Sequence, residues 1–105
     1  MAQRVDERRR EPRAEMALAC TLRRRIGAPI SCRTVDVGAG GMSVLSGRPL
    51  ATDELLAFEL EEAGGAPLTG RATVLRQQAH QVYALAFTQL PDAARATLAD
   101  LIARR

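Results

Sequence analysis

Six short segments of β-favouring residues, separated by turn residues, follow one another between positions 15 and 88 of this chain. The first shows the pattern most clearly, because Met16, Leu18, Cys20 and Leu22 alternate with small or polar residues. Alternation with a period of two is typical of a strand that buries one face. Six such segments at close spacing predict a mainly β fold, either a small barrel or a sandwich.

The turn residues and the hydrophobic pattern together set the expected boundaries. Strands are predicted over residues 15–23, 30–35, 42–46, 54–60, 68–76 and 82–88, with turns over 25–29, 36–41, 46–53, 61–67 and 77–81. A C-terminal helix is predicted over about 91–104, since Ala94, Leu98, Leu101 and Ile102 recur at helical spacing. This apolar stripe is expected to pack over the strands or against a second chain.

The positive charge of the chain is concentrated near its N-terminus. Residues 1–13 hold five arginines and three acidic residues. The net charge of the first 25 residues is +4 and that of the remaining residues is −1, which together give the total of +3. We predict a flexible, arginine-rich N-terminal arm (residues 1–13) followed by a single domain over 14–105. Such an arm is either a solvated tail or a binding element for an anion, and charge alone does not choose among nucleic acid, nucleotide and membrane surface.

Composition argues against several classes of protein. No apolar run approaches the 18 residues of a membrane span, and the N-terminus has no apolar signal region, so we expect a cytoplasmic protein without membrane insertion. Cys20 and Cys32 are then expected as reduced thiols that line the core near each other across a hairpin. With His80 as the single histidine, in a turn, the chain offers no set of metal ligands and no nucleophile–base pair. The sequence therefore predicts neither an enzyme nor a metal site, and no cofactor.

Two motifs occur together at a defined distance. The first is RxxxR, which is Arg9-Arg10-Glu11-Pro12-Arg13, just before the first predicted strand. The second is DxGxxG, which runs from Asp36 to Gly41 after the second predicted strand. With the strand order and the closing helix, the sequence from about Glu7 to Arg105 resembles the PilZ family, bacterial receptors for cyclic di-GMP. The resemblance implies a six-stranded antiparallel β-barrel (a split barrel) with a C-terminal α-helix.

The resemblance also implies which residues bind the ligand. These are Arg8, Arg9, Arg10, Arg13, Asp36, Gly38 and Gly41, with Arg71 and Arg76 as additional candidates. Gly38 departs from the family pattern, which has a serine at this place. The lost hydroxyl contact is expected to weaken binding by roughly three- to tenfold.

The chemistry of cyclic di-GMP suits these residue types. Its phosphates and the O6/N7 edge of guanine both match the bidentate fork of an arginine, which lysine cannot replace. The Watson–Crick edge presents N1–H and N2–H donors, which a carboxylate such as Asp36 accepts. Gly41, without a Cβ atom, permits close approach of a backbone. Asp36 in a turn can also serve only to cap its own loop.

The sequence thus predicts a cyclic di-GMP receptor that acts on an unidentified downstream protein, since a single domain carries no output module. A first alternative is a PilZ-like interaction module that has lost nucleotide binding, which Gly38 favours. A second is a nucleic-acid binder, against which the barrel's net −1 and lack of exposed aromatic residues argue. Members of the family bind the ligand as a monomer or as an intercalated dimer, so ligand number and a homodimer stay open.

Overall fold

The structure is a computed structural model that describes residues 13–62 and 65–104. Its elements are β1 (Arg13–Glu15), β2 (Ala19–Arg23), β3 (Ile30–Gly38), β4 (Gly41–Ser46), β5 (Leu55–Leu60), β6 (Leu68–Ala79), β7 (Val82–Gln89) and α1 (Asp92–Ala103). Residues 1–12 of the predicted arm lie outside the described residues, whereas Arg13 begins β1. The predicted helix is confirmed to within a residue at each end.

The strands close into an antiparallel barrel. Hydrogen-bonded neighbours follow the order β3-β2-β5-β6-β7-β4, and pairing of β3 with β4 completes the circle. The short strand β1 is a seventh, added beside the C-terminal end of β3. The predicted six-stranded barrel is therefore confirmed, with one extra strand. The register places the end of β3, the starts of β4 and β6 and the end of β7 at the same end of the barrel.

Three boundaries differ from the sequence prediction. The first predicted strand is two strands, β1 and β2, interrupted at residues 16–18. The predicted glycine-rich turn over 36–41 is mostly strand, because β3 continues to Gly38 and β4 begins at Gly41. The predicted turn over 77–81 shrinks to His80 and Gln81, and Gln81 adopts a φ of 63°. In the second and third cases cross-strand pairing extends a strand through residues whose local preference is for turns.

The core is mainly aliphatic, and the aromatic residues Phe58 and Tyr83 are buried in it as well. Leu22, Met42, Val44, Leu56 and Leu85 are among the side chains with almost no exposed surface. The apolar stripe of α1 buries Ala94 and Leu98, and Leu101 and Ile102 pack against the same cluster. Because α1 contacts β3 and β6, which lie on opposite sides of the circle, the helix covers an end of its own barrel. None of the described helical residues form a span that could cross a membrane.

Thr34 holds together the break between β1 and β2. Its hydroxyl donates to the carbonyl oxygen of Met16 at 2.6 Å and accepts from the backbone N–H of Leu18 at 2.8 Å. The side chain is 2% exposed, so water does not replace these bonds. A single buried hydroxyl thus provides hydrogen bonds for the Met16 carbonyl and the Leu18 N–H, which have no strand partner at the break. This contact fixes the direction in which β1 leaves the barrel.

We expect Thr34→Val to lower the free energy of unfolding by about 1–3 kcal/mol, because the isosteric change leaves two buried backbone groups unsatisfied. Urea denaturation measures the loss, and hydrogen exchange at the amide of Leu18 should accelerate. Thr69→Val, at an exposed strand position, serves as the control and should change stability by less than about 0.5 kcal/mol. Equal stability of the two variants would show that Thr34 does not hold this break.

The two cysteines are free thiols on the core side of the β2–β3 pair, directly opposite each other in the register. This confirms the expectation that they line the core across a hairpin. Burial raises the pKa of Cys20 from 9.0 to about 12, and the nearby thiol of Cys32 adds to the increase. The pKa of Cys32 is also raised by burial, and a hydrogen bond with Ser46 partly offsets that effect.

Alkaline pH should therefore destabilise the fold through Cys20. The unfolded chain loses the thiol proton above pH 9.0, whereas the folded chain keeps it up to about pH 12, so stability falls as pH rises through this window. Between pH 8 and 10.5 we expect a loss of about 2 kcal/mol from this group. Denaturant melts at the two pH values measure it, and Cys20→Ala should lose correspondingly less. An identical pH dependence in both proteins would contradict the assignment.

Candidate functional site

A β-bulge in β3 turns Asp36 away from the core. Inward-facing residues alternate as far as Thr34, and unbroken alternation would place Asp36 inside the barrel. The β3–β4 register shifts between Thr34 and Asp36, so Val35 is an extra residue. Beyond it, Val37 is fully buried and Asp36 is half-buried. The bulge thus keeps an apolar residue in the core and directs the carboxylate to the outer face, as bulges beside binding sites often do.

Strand β1 brings Arg13 to this carboxylate. In the β1–β3 register Arg13 lies opposite Gly38, Ala14 opposite Val37, and Glu15 opposite Asp36. Because Ala14 and Val37 are both buried, Arg13 and Glu15 share the outer face with Asp36. Nη2 of Arg13 donates a hydrogen bond to Oδ1 of Asp36 at 2.5 Å. The ends of the two motifs, 23 residues apart in sequence, therefore meet.

The Arg13–Asp36 ion pair is accessible to solvent. The arginine side chain is 43% exposed and the aspartate side chain 29% exposed. Pairs of this kind contribute only about 0–1 kcal/mol to stability. Glu15 adds a second carboxylate directly across from Asp36, an arrangement that is unfavourable without a cation between them. The pair thus holds a guanidinium and a carboxylate side by side. A ligand that separates them loses little free energy by breaking the pair.

The two glycines of the second motif occupy different positions. Gly38 ends β3 directly across from Arg13, so a side chain there would adjoin the guanidinium. At Gly41 a Cβ atom would overlap the carbonyl oxygen of Leu85 and press on the backbone of Ala86. The close approach that requires this glycine is therefore that of β7 within the barrel. A ligand contact at Gly41 stays a prediction.

The additional arginine candidates lie on separate parts of the barrel. Arg76 belongs to the same cross-strand row as Asp36, through Ser43 of β4 and Ala84 of β7. Arg71 lies nearer the start of β6 and lines an open groove of about 480 Å³ with Gln89 and the residues that precede α1. The structure thus places Arg76, and not Arg71, in line with Asp36. Arg8, Arg9 and Arg10 lie outside the described residues.

Two polar residues beside Asp36 escaped the sequence reasoning. Ser43 is its direct neighbour on β4, and the Ser43 hydroxyl donates to Oε1 of Gln78 at 2.9 Å. Ser43 could have been recognised as a polar residue between the buried Met42 and Val44. Gln78 carries no such signal, because the sequence predicts a turn over 77–81 and the position of Gln78 depends on a bulge in β6.

A closed six-stranded barrel with an arginine–carboxylate pair at its rim defines a small β-barrel binding module. A family model described as PilZ domain matches residues 7–104, so the chain belongs to the PilZ family. No curated protein matches the sequence significantly.

Among solved structures, the chain is similar to one described as Bacillus subtilis inhibitor of motility (MotI/DgrA). The two share 18% sequence identity with a TM-score of 0.76, and the match covers 90% of this chain. It covers 49% of the Bacillus subtilis chain, so the present chain spans about half the length of that protein. At this identity the likeness supports the fold.

Proposed function

We propose that this protein is a receptor for cyclic di-GMP that passes the signal to a partner protein. The observation that carries the proposal is the Arg13–Asp36 pair, which unites the RxxxR and DxGxxG motifs on one outer face of the barrel. Membership of the PilZ family supports the same ligand. Domains of this family are receptor and adaptor modules rather than enzymes.

Each member of the pair has a distinct role in the proposed complex. Asp36 accepts N1–H and N2–H from the Watson–Crick edge of one guanine. Arg13, together with Arg9, grips a phosphate or the O6/N7 edge with its bidentate fork. Arg8 and Arg10 supply further donors from the same segment. Binding replaces the Arg13–Asp36 contact by two contacts with the ligand, and the weak, exposed pair opposes this exchange little.

Signalling follows from the position of Arg13 at the junction of the arm and the barrel. When the ligand engages Arg9 and Arg13 together, it joins the segment around Arg9 to the outer face of the barrel. This coupling makes the shape of one surface depend on ligand occupancy. A partner protein that contacts the arm or the rim would then distinguish the two states.

Titration calorimetry tests the proposal. Cyclic di-GMP should bind the wild-type protein saturably and more weakly as salt rises, because its phosphates are held by arginines. GMP, which has only one base and a monoester phosphate, serves as the matched ligand control and should bind far more weakly. Absence of heat with cyclic di-GMP at high micromolar concentration would refute the proposal.

A second candidate function is an interaction module that no longer binds nucleotide. Gly38 supports it, because the residue beside Arg13 has no side chain that could contribute a ligand hydrogen bond. Under this alternative the Arg13–Asp36 pair is a permanent surface contact. The same calorimetric titration separates the two candidates.

A further inference from the structure

A row of outward-facing residues crosses four strands beside Asp36. In the register, Asp36 of β3 lies opposite Ser43 of β4, Ser43 lies opposite Ala84 of β7, and Ala84 lies opposite Arg76 of β6. Neighbouring strands are about 4.8 Å apart, so Asp36 and Arg76 are separated by about 14 Å along the sheet. Ser43 and Ala84 are small residues between two charged ones.

A second bulge brings a glutamine onto this row. The β6–β7 register shifts between Gln77 and Ala79, which makes Gln78 the extra residue. Oε1 of Gln78 accepts a hydrogen bond from the hydroxyl of Ser43 at 2.9 Å, two strands away. Ser43 is 3% exposed although it faces outward, and Ala84 is also buried. The Gln78 amide therefore lies on the outer face, next to the residue that neighbours Asp36.

The hydrogen bond with Ser43 restrains the Gln78 amide. In this structure Oε1 is the atom that faces the Ser43 hydroxyl, so the NH₂ group of Gln78 is free to donate elsewhere. The outer face of the barrel thus presents an acceptor, the Asp36 carboxylate, on one side of Ser43 and a donor, the Gln78 NH₂ group, on the other. An amide held in one orientation has already lost the rotational freedom that a free glutamine would lose on binding.

This combination matches the edge of guanine. N2–H and N1–H are donors, and O6, the next atom along the same edge, is an acceptor. A carboxylate satisfies the two donors and leaves O6 in need of a donor of its own. Adenine has an amino group in place of O6, so an oriented NH₂ group would oppose it.

We propose that Gln78, oriented by Ser43, is a specificity-determining residue that donates to O6 of the guanine held by Asp36. This inference rests on the proposed function and assigns a further contact in the same site. The contact adds a polar partner beside Asp36 in a site whose Gly38 lacks a hydroxyl.

The test compares adjacent glutamines. Gln77 is also exposed, but its amide donates to the carbonyl oxygen of Ala79 at 3.1 Å, within its own strand. In calorimetric titrations with cyclic di-GMP, Gln78→Ala should weaken binding by about three- to tenfold, and Gln77→Ala should leave it unchanged. Gln78→Glu, which replaces the donor by a negatively charged acceptor, should weaken binding by more than about tenfold. Gln77→Glu makes the same change of charge and should have a much smaller effect.

A ligand with an altered base separates the roles of Gln78 and Asp36. The inosine analogue of cyclic di-GMP keeps O6 and N1–H but lacks the N2 amino group. The penalty of Gln78→Ala should persist with this analogue, while the penalty of Asp36→Ala should shrink. Equal affinities of the Gln78 and Gln77 variants for cyclic di-GMP would overturn this inference and leave the proposed function standing. Absence of binding by the wild-type protein would overturn both.

Discussion

Replacing Asp36 with alanine should weaken the binding of cyclic di-GMP by at least about thirtyfold. Hydrogen bonds to a charged group contribute about 1.5–3 kcal/mol each, and the carboxylate accepts two from the guanine edge. The variant also frees Arg13 from its ion pair before binding, so up to about 1 kcal/mol of the lost binding free energy is recovered. The net expectation is therefore a loss of about 2–6 kcal/mol of binding free energy, measured by titration calorimetry. Glu61→Ala, which removes an exposed carboxylate elsewhere, should bind like the wild type.

The double variant Arg13→Ala/Asp36→Ala shows whether the ion pair opens on binding. If the ligand must separate the two side chains, each single variant is spared that cost. The double variant then loses more affinity than the sum of the two single variants, by the value of the pair. Strict additivity would indicate that the pair persists in the complex. An Asp36→Ala protein with wild-type affinity would refute the role of the carboxylate.

Gly41→Ala is expected to destabilise the barrel by about 2–4 kcal/mol. The new Cβ atom would meet backbone atoms of Leu85 and Ala86, which cannot move aside without disturbing the β4–β7 ladder. Gly47→Ala is a matched control, because no atom lies within 4 Å of the added methyl group. Denaturant unfolding of the two variants should differ by at least about 2 kcal/mol. If they are equally stable, then the close approach of β4 and β7 is not what requires a glycine at position 41.

The sequence predicted the β-barrel well because its strands bury one face. Alternation at Met16, Cys20 and Leu22 correctly predicted that these residues face the core, where all three are buried. The stripe of the helix was equally informative. These patterns survive in a single sequence because burial of apolar side chains governs them residue by residue.

The surroundings of Asp36 were less predictable, because they depend on irregular pairing. The bulge at Val35 reverses the alternation of inward-facing and outward-facing residues, and the local sequence does not predict this bulge. The bulge at Gln78 likewise turned an expected loop residue into a neighbour of Ser43. The spacing of the two motifs identified Arg13 and Asp36 as candidate site residues. Their contact, however, requires the break after Glu15, which the buried hydroxyl of Thr34 stabilises. Such features follow from contacts distant in sequence.

The most direct test of the proposed site is a titration of the isotopically labelled protein with cyclic di-GMP, followed by ¹H–¹⁵N correlation spectra. Chemical-shift changes should concentrate on residues 13–15, 36–43 and 76–78, which lie on the outer face of the barrel around Asp36 and along its cross-strand row. The Arg24–Glu54 ion pair, whose Nε–Oε2 distance is 2.6 Å, is not part of this surface, so it should change little and serves as the internal control. Saturable changes confined to the first group are the predicted result. An unchanged spectrum, or changes centred on the Arg24–Glu54 pair, would contradict the account.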